Sequence, residues 1–193
     1  MTDPSQNPAL PAPQDDAAAD HLPGARLPAV NLPATDGRTI NLAGLERRSL
    51  LFVYPGIGGP GDEALLDAWT AVPGARGCTP EACAIRDALS EFQAHGVDVF
   101  GLAAQAHTDQ QRHVEQLGLA YPLLADERLQ LADELDLPTF DFHNRRYYKR
   151  LTLIANDDVI ETALYPVFPP EQAADQALGW LGKHRPPAAP TSG

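Results

Sequence analysis

The sequence predicts an α/β fold in which helices flank a central mixed β-sheet. Short apolar runs, typical of strands covered on both faces, alternate along the chain with stretches that carry helix start and stop residues. The final elements are predicted to be a β-hairpin and a helix, which adds antiparallel strands to the alternating order. With 193 residues and 44% hydrophobic content, the chain is long enough for one ordinary domain with a substantial core.

Two apolar runs, residues 49–54 and 97–102, are predicted to be buried strands. Between them a helix is expected to begin at Thr79, with Pro80 at the first helical position, and to end before Gly96. The remaining predicted elements are a strand after a turn at 39–42, a helix at 108–118, a strand at 122–124, a helix at 127–135, a hairpin with strands at 151–155 and 159–164, and a helix at 170–184.

The folded domain is expected to span residues 25–184. Residues 1–24 and 185–193 are rich in proline, alanine and polar residues and contain few large apolar side chains. Segments of this composition bury too little apolar surface to offset the entropy of ordering. We therefore expect a disordered N-terminal arm and a disordered C-terminal tail.

The composition argues against several functions. With 14 Lys and Arg against 26 Asp and Glu, the formal net charge is −12, which disfavours binding to nucleic acid or to anionic membrane surfaces. No apolar run approaches the ~20 residues that a membrane-spanning helix needs. The residues before Arg26 include no basic residue and no apolar stretch, so they are not expected to act as a secretory leader. We therefore expect a soluble, cytoplasmic protein without nucleic-acid or membrane partners.

The clearest chemical signal is the pair Cys78 and Cys83. Cys78 stands where a helix begins, and the unpaired N–H groups and helix dipole there favour a thiolate, so its pKa is expected below the ~8.5 of a free cysteine. Cys83 lies five residues later, ~7.5 Å along the helix axis, so a disulfide between the two requires the first turns to unwind. Taken alone, Cys83 also fits a small buried apolar residue. The spacing does not suit zinc, and no metal is expected.

Residues 56–61 match the GxGxxG pattern of a dinucleotide site. The match is weak because Pro60 lacks an amide donor and because Asp62 and Glu63 would repel a pyrophosphate. We interpret residues 56–77 as a flexible loop and expect no bound cofactor.

The run Gly77-Cys78-Thr79-Pro80-Glu81-Ala82-Cys83, followed by Arg86-Asp87 and preceded by Tyr54-Pro55 at the end of a strand, resembles the peroxiredoxins. The most similar branch is the bacterioferritin-comigratory, or PrxQ-like, group. Residues 32–42 resemble the entry hairpin of that family and residues 149–154 its arginine-bearing strand, so the resemblance covers about residues 27–180. It implies a thioredoxin-like fold and a thiol-dependent peroxidase that reduces hydrogen peroxide and organic hydroperoxides.

The resemblance also implies a role for individual residues. Cys78 matches the peroxidatic cysteine, Cys83 the resolving cysteine that closes a disulfide within one chain, and Arg150 the arginine that holds the thiolate. The residues expected to contact the substrate flank Cys78 and are Gly77, Arg76 and Thr79. The implied reductant is thioredoxin or a similar dithiol, and we expect a monomer or a weak homodimer.

The chain departs from the family pattern P-x-x-x-T-x-x-C. Ala71 and Ala75 stand where that pattern has proline and threonine, and residues 56–77 form an insertion before Cys78. Thr70, Thr79 or backbone amides are candidates to replace the missing hydroxyl, and Pro73 to shield the thiolate. Two alternatives therefore stay open: a redox sensor or binding module with little turnover, and a thiol–disulfide oxidoreductase, although the chain has no Cys-x-x-Cys.

Overall fold

A computed structural model of the chain describes residues 10–184. The strands in this range are β1 (Asn31–Pro33), β2 (Thr39–Asn41), β3 (Ser49–Val53), β4 (Asp98–Ala103), β5 (Leu123–Ala125), β6 (Thr139–Phe142), β7 (Arg145–Tyr148), β8 (Leu151–Asn156) and β9 (Val159–Leu164). The α-helices in this range are α1 (Leu66–Ala71), α2 (Cys78–Asp87), α3 (Leu89–Ala94), α4 (His107–Leu117), α5 (Gln130–Leu135) and α6 (Ala173–Lys183).

The central sheet has the strand order β5-β4-β3-β8-β9. Strands β3, β4 and β5 are parallel, whereas β8 pairs antiparallel with β3 and β9 antiparallel with β8. The parallel pair β3 and β4 is connected through α1, α2 and α3, as a parallel connection requires a crossover. The predicted α/β class, with a mixed sheet flanked by helices, is confirmed.

The sheet has an apolar core on each face. Because successive side chains of a strand point to opposite faces, β3 sends Leu51 and Val53 into one core and Leu50 and Phe52 into the other. The second of these cores also contains side chains of α2, α3 and α6, whereas the first is closed by the N-terminal segment, β1, β2 and α5. Helix α2 therefore lies on the face of the sheet to which Leu50 and Phe52 of the central strand point.

The boundaries of two predicted elements differ from the structure. The helix predicted up to residue 95 is two helices, α2 and α3, which meet at Ala88 with φ −93° and ψ 4°. The helix predicted at 127–135 begins only at Gln130, after Leu129 in the left-handed conformation. A further hairpin, β6–β7, was not predicted, because its basic residues suggest a solvated surface segment.

Residues 10–24 do not form a free arm, and we call them the N-terminal strap. Leu22 is fully buried and Ala19 nearly so. The carboxylate of Asp16 accepts hydrogen bonds from Lys149 at 2.6 Å and from Tyr165 at 2.8 Å. The expectation of disorder is therefore wrong for these residues, since a few well-placed side chains suffice to anchor the segment. Residues 1–9 and 185–193, the rest of the predicted arm and tail, lie outside the described residues.

The segment 56–77, predicted to be a flexible loop, is instead packed. It contains a turn of 3₁₀ helix, Glu63–Leu65, and helix α1. Trp69 of α1 is 2% exposed and meets Phe142 and Tyr147 of the β6–β7 hairpin edge-on, with ring centroids 5.2 and 4.9 Å apart. Within residues 10–184, no helix has the length and apolar character needed to cross a membrane.

Candidate active site

The site is built around the first residue of α2, Cys78. The preceding Gly77 is the N-cap and has φ +107°, a conformation that favours glycine. A Cβ on Gly77 would also overlap the ring of Pro170. The predicted cap Thr79 lies instead inside the first turn, exposed and with no capping hydrogen bond. Gly77 thus allows the chain to turn into α2 so that the Cys78 side chain faces the core.

The sulfur of Cys78 has two hydrogen-bond donors in the described part of the chain. The Gly56 N–H donates to Sγ at 3.4 Å, and Nη2 of Arg150 donates at 3.3 Å. The thiol of Cys78 in turn donates a hydrogen bond to the carbonyl oxygen of Ala75 at 3.7 Å. Donors of this kind stabilise a sulfur anion, and the cation contributes more than a neutral amide.

Arg150 holds the sulfur and the chain before it in one arrangement. It lies directly before β8 and is 3% exposed. Its Nη2 also donates to the carbonyl oxygens of Gly74 and Arg76, at 3.3 and 3.2 Å. The guanidinium of Arg150 therefore fixes the backbone that precedes α2, and it also donates to the sulfur of Cys78, the first residue of that helix.

Glu81 completes the charged cluster, and sequence reasoning missed it. Its carboxylate forms a fully buried ion pair with Nη1 of Arg150. Burial raises the pKa of Glu81 to about 7, although the guanidinium of Arg150 opposes this shift. The signal was present in the spacing, because residues three apart on a helix share one face, so Glu81 lies beside Cys78.

The expectation of a lowered pKa for Cys78 does not hold in this structure. The residue is 3% exposed, and burial raises the pKa of its thiol because a thiolate loses its hydration there. Arg150 and the Gly56 N–H lower that pKa, whereas the charge of Glu81 raises it further. Ionisation of this sulfur therefore depends on the donors that face it.

Cys83 lies on the same helix and is half-buried. Both cysteines are free. Because α2 is continuous from residue 78 to residue 87, the two residues are separated by five helical positions, or ~7.5 Å of rise. A disulfide requires a smaller separation and facing Cβ atoms, so the pair can bond only after the first turn of α2 unwinds.

A cleft of about 620 Å³ leads from the surface to Cys78. The three residues predicted to contact substrate, Arg76, Gly77 and Thr79, all line it. Its other wall comes from the glycine-rich turn and from α1, chiefly Gly56, Gly58, Gly59, Leu66, Trp69 and Thr70. The structure thus brings Arg76, Gly77 and Thr79 together with Cys78 in one cleft, whereas Cys83 and Arg150 do not line it. Arg150 reaches the sulfur from the side of the cavity beneath the N-terminal strap.

Neither Thr70 nor Thr79, the candidates for the missing hydroxyl, is hydrogen-bonded to the sulfur among the described residues, and Pro73 does not line the cleft. Thr70 donates its hydroxyl proton to the Leu66 carbonyl oxygen at 2.7 Å and accepts from Arg76 at 3.2 Å. Thr79 is exposed. Pro73 lines a separate cavity beneath the N-terminal strap rather than the cleft. Of the candidates, only a backbone amide, that of Gly56, is hydrogen-bonded to Cys78.

Comparison with known proteins gives consistent matches. A sequence model of the Redoxin family matches residues 22–178. Peroxiredoxin Bcp of Escherichia coli K12 is 27% identical over 161 residues, which are 81% of this chain and 93% of that protein.

Solved structures match over most of the chain. Peroxidoxin BcpB from Mycobacterium tuberculosis has a TM-score of 0.68 at 24% identity and covers 85% of this chain and 98% of its own. Peroxiredoxin Q from Xanthomonas campestris has a TM-score of 0.65 at 18% identity, with coverage of 91% and 98%. The likeness shows a thioredoxin-like fold, as the resemblance implied.

Proposed function

Because the chain belongs to the Redoxin family and is a peroxiredoxin, a thiol-dependent peroxidase, we propose that Cys78 is the sulfur that attacks the hydroperoxide. The observation that carries this assignment is the position of Cys78 Sγ at the base of the cleft, 3.3 Å from Nη2 of Arg150 and 3.4 Å from the Gly56 nitrogen. Cys83 lacks both contacts. The substrates are hydrogen peroxide and organic hydroperoxides, held by Arg76, Gly77 and Thr79 at the cleft wall.

The first step is a two-electron oxidation of Cys78. Its thiolate attacks the terminal oxygen of the hydroperoxide, so an S–O bond forms and the O–O bond breaks. The remaining alkoxide takes a proton and leaves as an alcohol, or as water when the substrate is hydrogen peroxide. Negative charge grows on the peroxide oxygens during this step, and Arg150 stabilises it because the guanidinium already lies beside the sulfur.

Cys83 resolves the sulfenic acid on Cys78. Its thiolate attacks Sγ of Cys78 and the S–O bond breaks, so that the disulfide forms and the departing hydroxide takes up a proton and leaves as water. Since both residues lie on α2, the first turn of that helix unwinds for this step. A dithiol donor of the thioredoxin class then reduces the disulfide in the cytoplasm, and the protein acts as a monomer or a weak homodimer.

Peroxide consumption with thioredoxin, thioredoxin reductase and NADPH tests this proposal. We expect Cys78→Ser to reduce consumption to the rate of the protein-free mixture. The matched variant Cys83→Ser keeps Cys78 and should react once with peroxide at an unchanged rate, but it should recycle slowly. Consumption by Cys78→Ser at the rate of the unmodified chain would contradict the assignment.

A redox sensor with little turnover is the second candidate, and the burial of Cys78 favours it. A sensor must be oxidised by peroxide but has no need for rapid recycling. The number of peroxide molecules consumed per chain, with excess thioredoxin system present, separates the two functions. A peroxidase consumes many, whereas a sensor stops near one.

A further inference from the structure

The glycine-rich turn that follows β3 is held by the side chain of Gln105. The Ile57 N–H donates to Oε1 of Gln105 at 2.9 Å, and Nε2 of Gln105 donates to the Ile57 carbonyl oxygen at 2.9 Å. Gln105 lies two residues after the end of β4, which pairs with β3 in the central sheet. Both ends of one side-chain amide thus bind the backbone of a single residue in the turn.

The two hydrogen bonds between Gln105 and Ile57 fix the position of the neighbouring Gly56 N–H, which faces the catalytic sulfur. The Gly56 N–H, which donates to Cys78 Sγ, lies between two anchored positions. On one side the Tyr54 N–H donates to the Leu102 carbonyl oxygen at 3.0 Å, and on the other side Ile57 is bound by Gln105. A Cβ on Gly56 would lie 3.3 Å from Cδ of Gln105, so glycine leaves room for the close approach of the two.

The position of the Gly56 N–H matters because the sulfur of Cys78 has few hydrogen-bond donors among the described residues. Ala75 has no hydroxyl, and neither Thr70 nor Thr79 is hydrogen-bonded to Cys78 within residues 10–184. Besides the Arg150 guanidinium, the Gly56 N–H is the donor that reaches Sγ in that range. We propose that Gln105 is a positioning residue that holds the Gly56 N–H on the sulfur of Cys78, in place of the hydroxyl that Ala75 lacks.

The inference rests on the proposed role of Cys78 and adds a residue that does not touch the reacting atoms. Gln105 acts through the turn, and a hydrogen bond to the charged form of a group is worth about a tenfold change in its ionisation. The charged and titratable groups that face the sulfur are Arg150, Glu81 and Tyr54. None of them is hydrogen-bonded to Gln105 among the described residues.

The test measures the pH dependence of Cys78 alkylation by iodoacetamide in a Cys83→Ser background, where one thiol remains. Gln105→Met keeps the length of the side chain and removes both hydrogen bonds to Ile57. We expect the alkylation midpoint to move to higher pH and the rate at pH 7 to fall about tenfold. Gln93→Met, the same substitution on the exposed face of α3, should leave both unchanged.

A structural role alone predicts a different result. If Gln105→Met lowers the melting temperature but leaves the alkylation midpoint where it was, the positioning role is overturned. An unchanged midpoint with an unchanged melting temperature overturns it as well. Because alkylation needs no peroxide, this outcome is independent of the peroxidase test, in which Cys78→Ser decides the proposed function.

Discussion

At the scale of single residues, the sulfur of Cys78 faces one cation, one carboxylate and one backbone amide. Arg150 stabilises the thiolate, whereas Glu81 holds Arg150 in place but repels the same thiolate. Both effects act in a buried cluster, where charges interact more strongly than at the surface. Glu81 thus has two effects: it orients the guanidinium of Arg150, and its charge raises the pKa of Cys78.

Glu81→Gln separates the two effects. The amide keeps the shape of the side chain and can still accept a hydrogen bond from Arg150, but it removes the negative charge. The negative charge of Glu81 raises the pKa of the Cys78 thiol. Without that charge, we expect the alkylation midpoint of Cys78 to fall by about one pH unit. Because burial raises the pKa of Glu81 to about 7, the fold tolerates the neutral carboxyl, so denaturant unfolding should show that Glu81→Gln remains folded at neutral pH.

Asp87→Asn is the control for this variant. Asp87 is an exposed carboxylate on the same helix and pairs with Arg86 rather than with the cluster. Its substitution should leave the alkylation midpoint in place. A midpoint for Glu81→Gln that stays constant or moves to higher pH would show that the charge of Glu81 does not act on Cys78.

At the scale of elements, the insertion 56–77 forms one wall of the cleft that contains Cys78. Its helix α1 is anchored by Trp69 against the β6–β7 hairpin, and Leu66 on the same helix lines the cleft while remaining 40% exposed. An exposed leucine beside a reactive group offers an apolar contact to the organic part of a substrate. Hydrogen peroxide has no such part.

Leu66→Asn should therefore change substrate preference. We expect kcat/KM for cumene hydroperoxide to fall about tenfold, the value of one apolar contact of this size, and kcat/KM for hydrogen peroxide to stay the same. Hydrogen peroxide is the internal control, because a general loss of structure would lower both values. Equal loss for the two substrates would mean that Leu66 supports the fold and does not select the substrate.

How well each element could be predicted depends on where its stabilising contacts lie. Strand β3 and the start of α2 were predicted because their signals are local: a continuous apolar run for the strand, and Thr79 followed by Pro80 for the helix, which begins one residue earlier, at Cys78. The N-terminal strap, α1 and the β6–β7 hairpin are held by distant side chains, as in the contacts of Asp16 with Lys149 and Tyr165. Composition does not reveal such partners.

In the candidate site, too, the residues with a local sequence signal were predicted, and those that depend on distant contacts were not. Cys78, Cys83 and the residues around them are marked by a compact motif, and Arg150 by the resemblance alone. Gln105 is a polar residue just after a strand, and nothing in its neighbours indicates that it binds Ile57, 48 positions earlier. Burial of Cys78, which reverses the expected direction of its pKa shift, likewise follows from packing by several elements.

At the scale of the whole molecule, the sheet brings together parts of the candidate active site that are distant in sequence. Cys78 and Arg150 are 72 residues apart, and they meet because α2 packs on β3 and β8 pairs with β3. The first turn of α2 is not part of the sheet, so we expect the sheet to remain intact when this turn unwinds on oxidation. We therefore expect oxidation to close a disulfide within each chain and to link no chains together.

Intact-mass measurement after one equivalent of hydrogen peroxide tests the central claim, that Cys78 is oxidised and Cys83 resolves it. The unmodified chain should lose two hydrogens and remain a single chain without free thiols, and Cys83→Ser should gain one oxygen. Cys78→Ser should keep its mass. An unmodified chain that keeps its mass, or oxidised chains linked in pairs, would contradict the account.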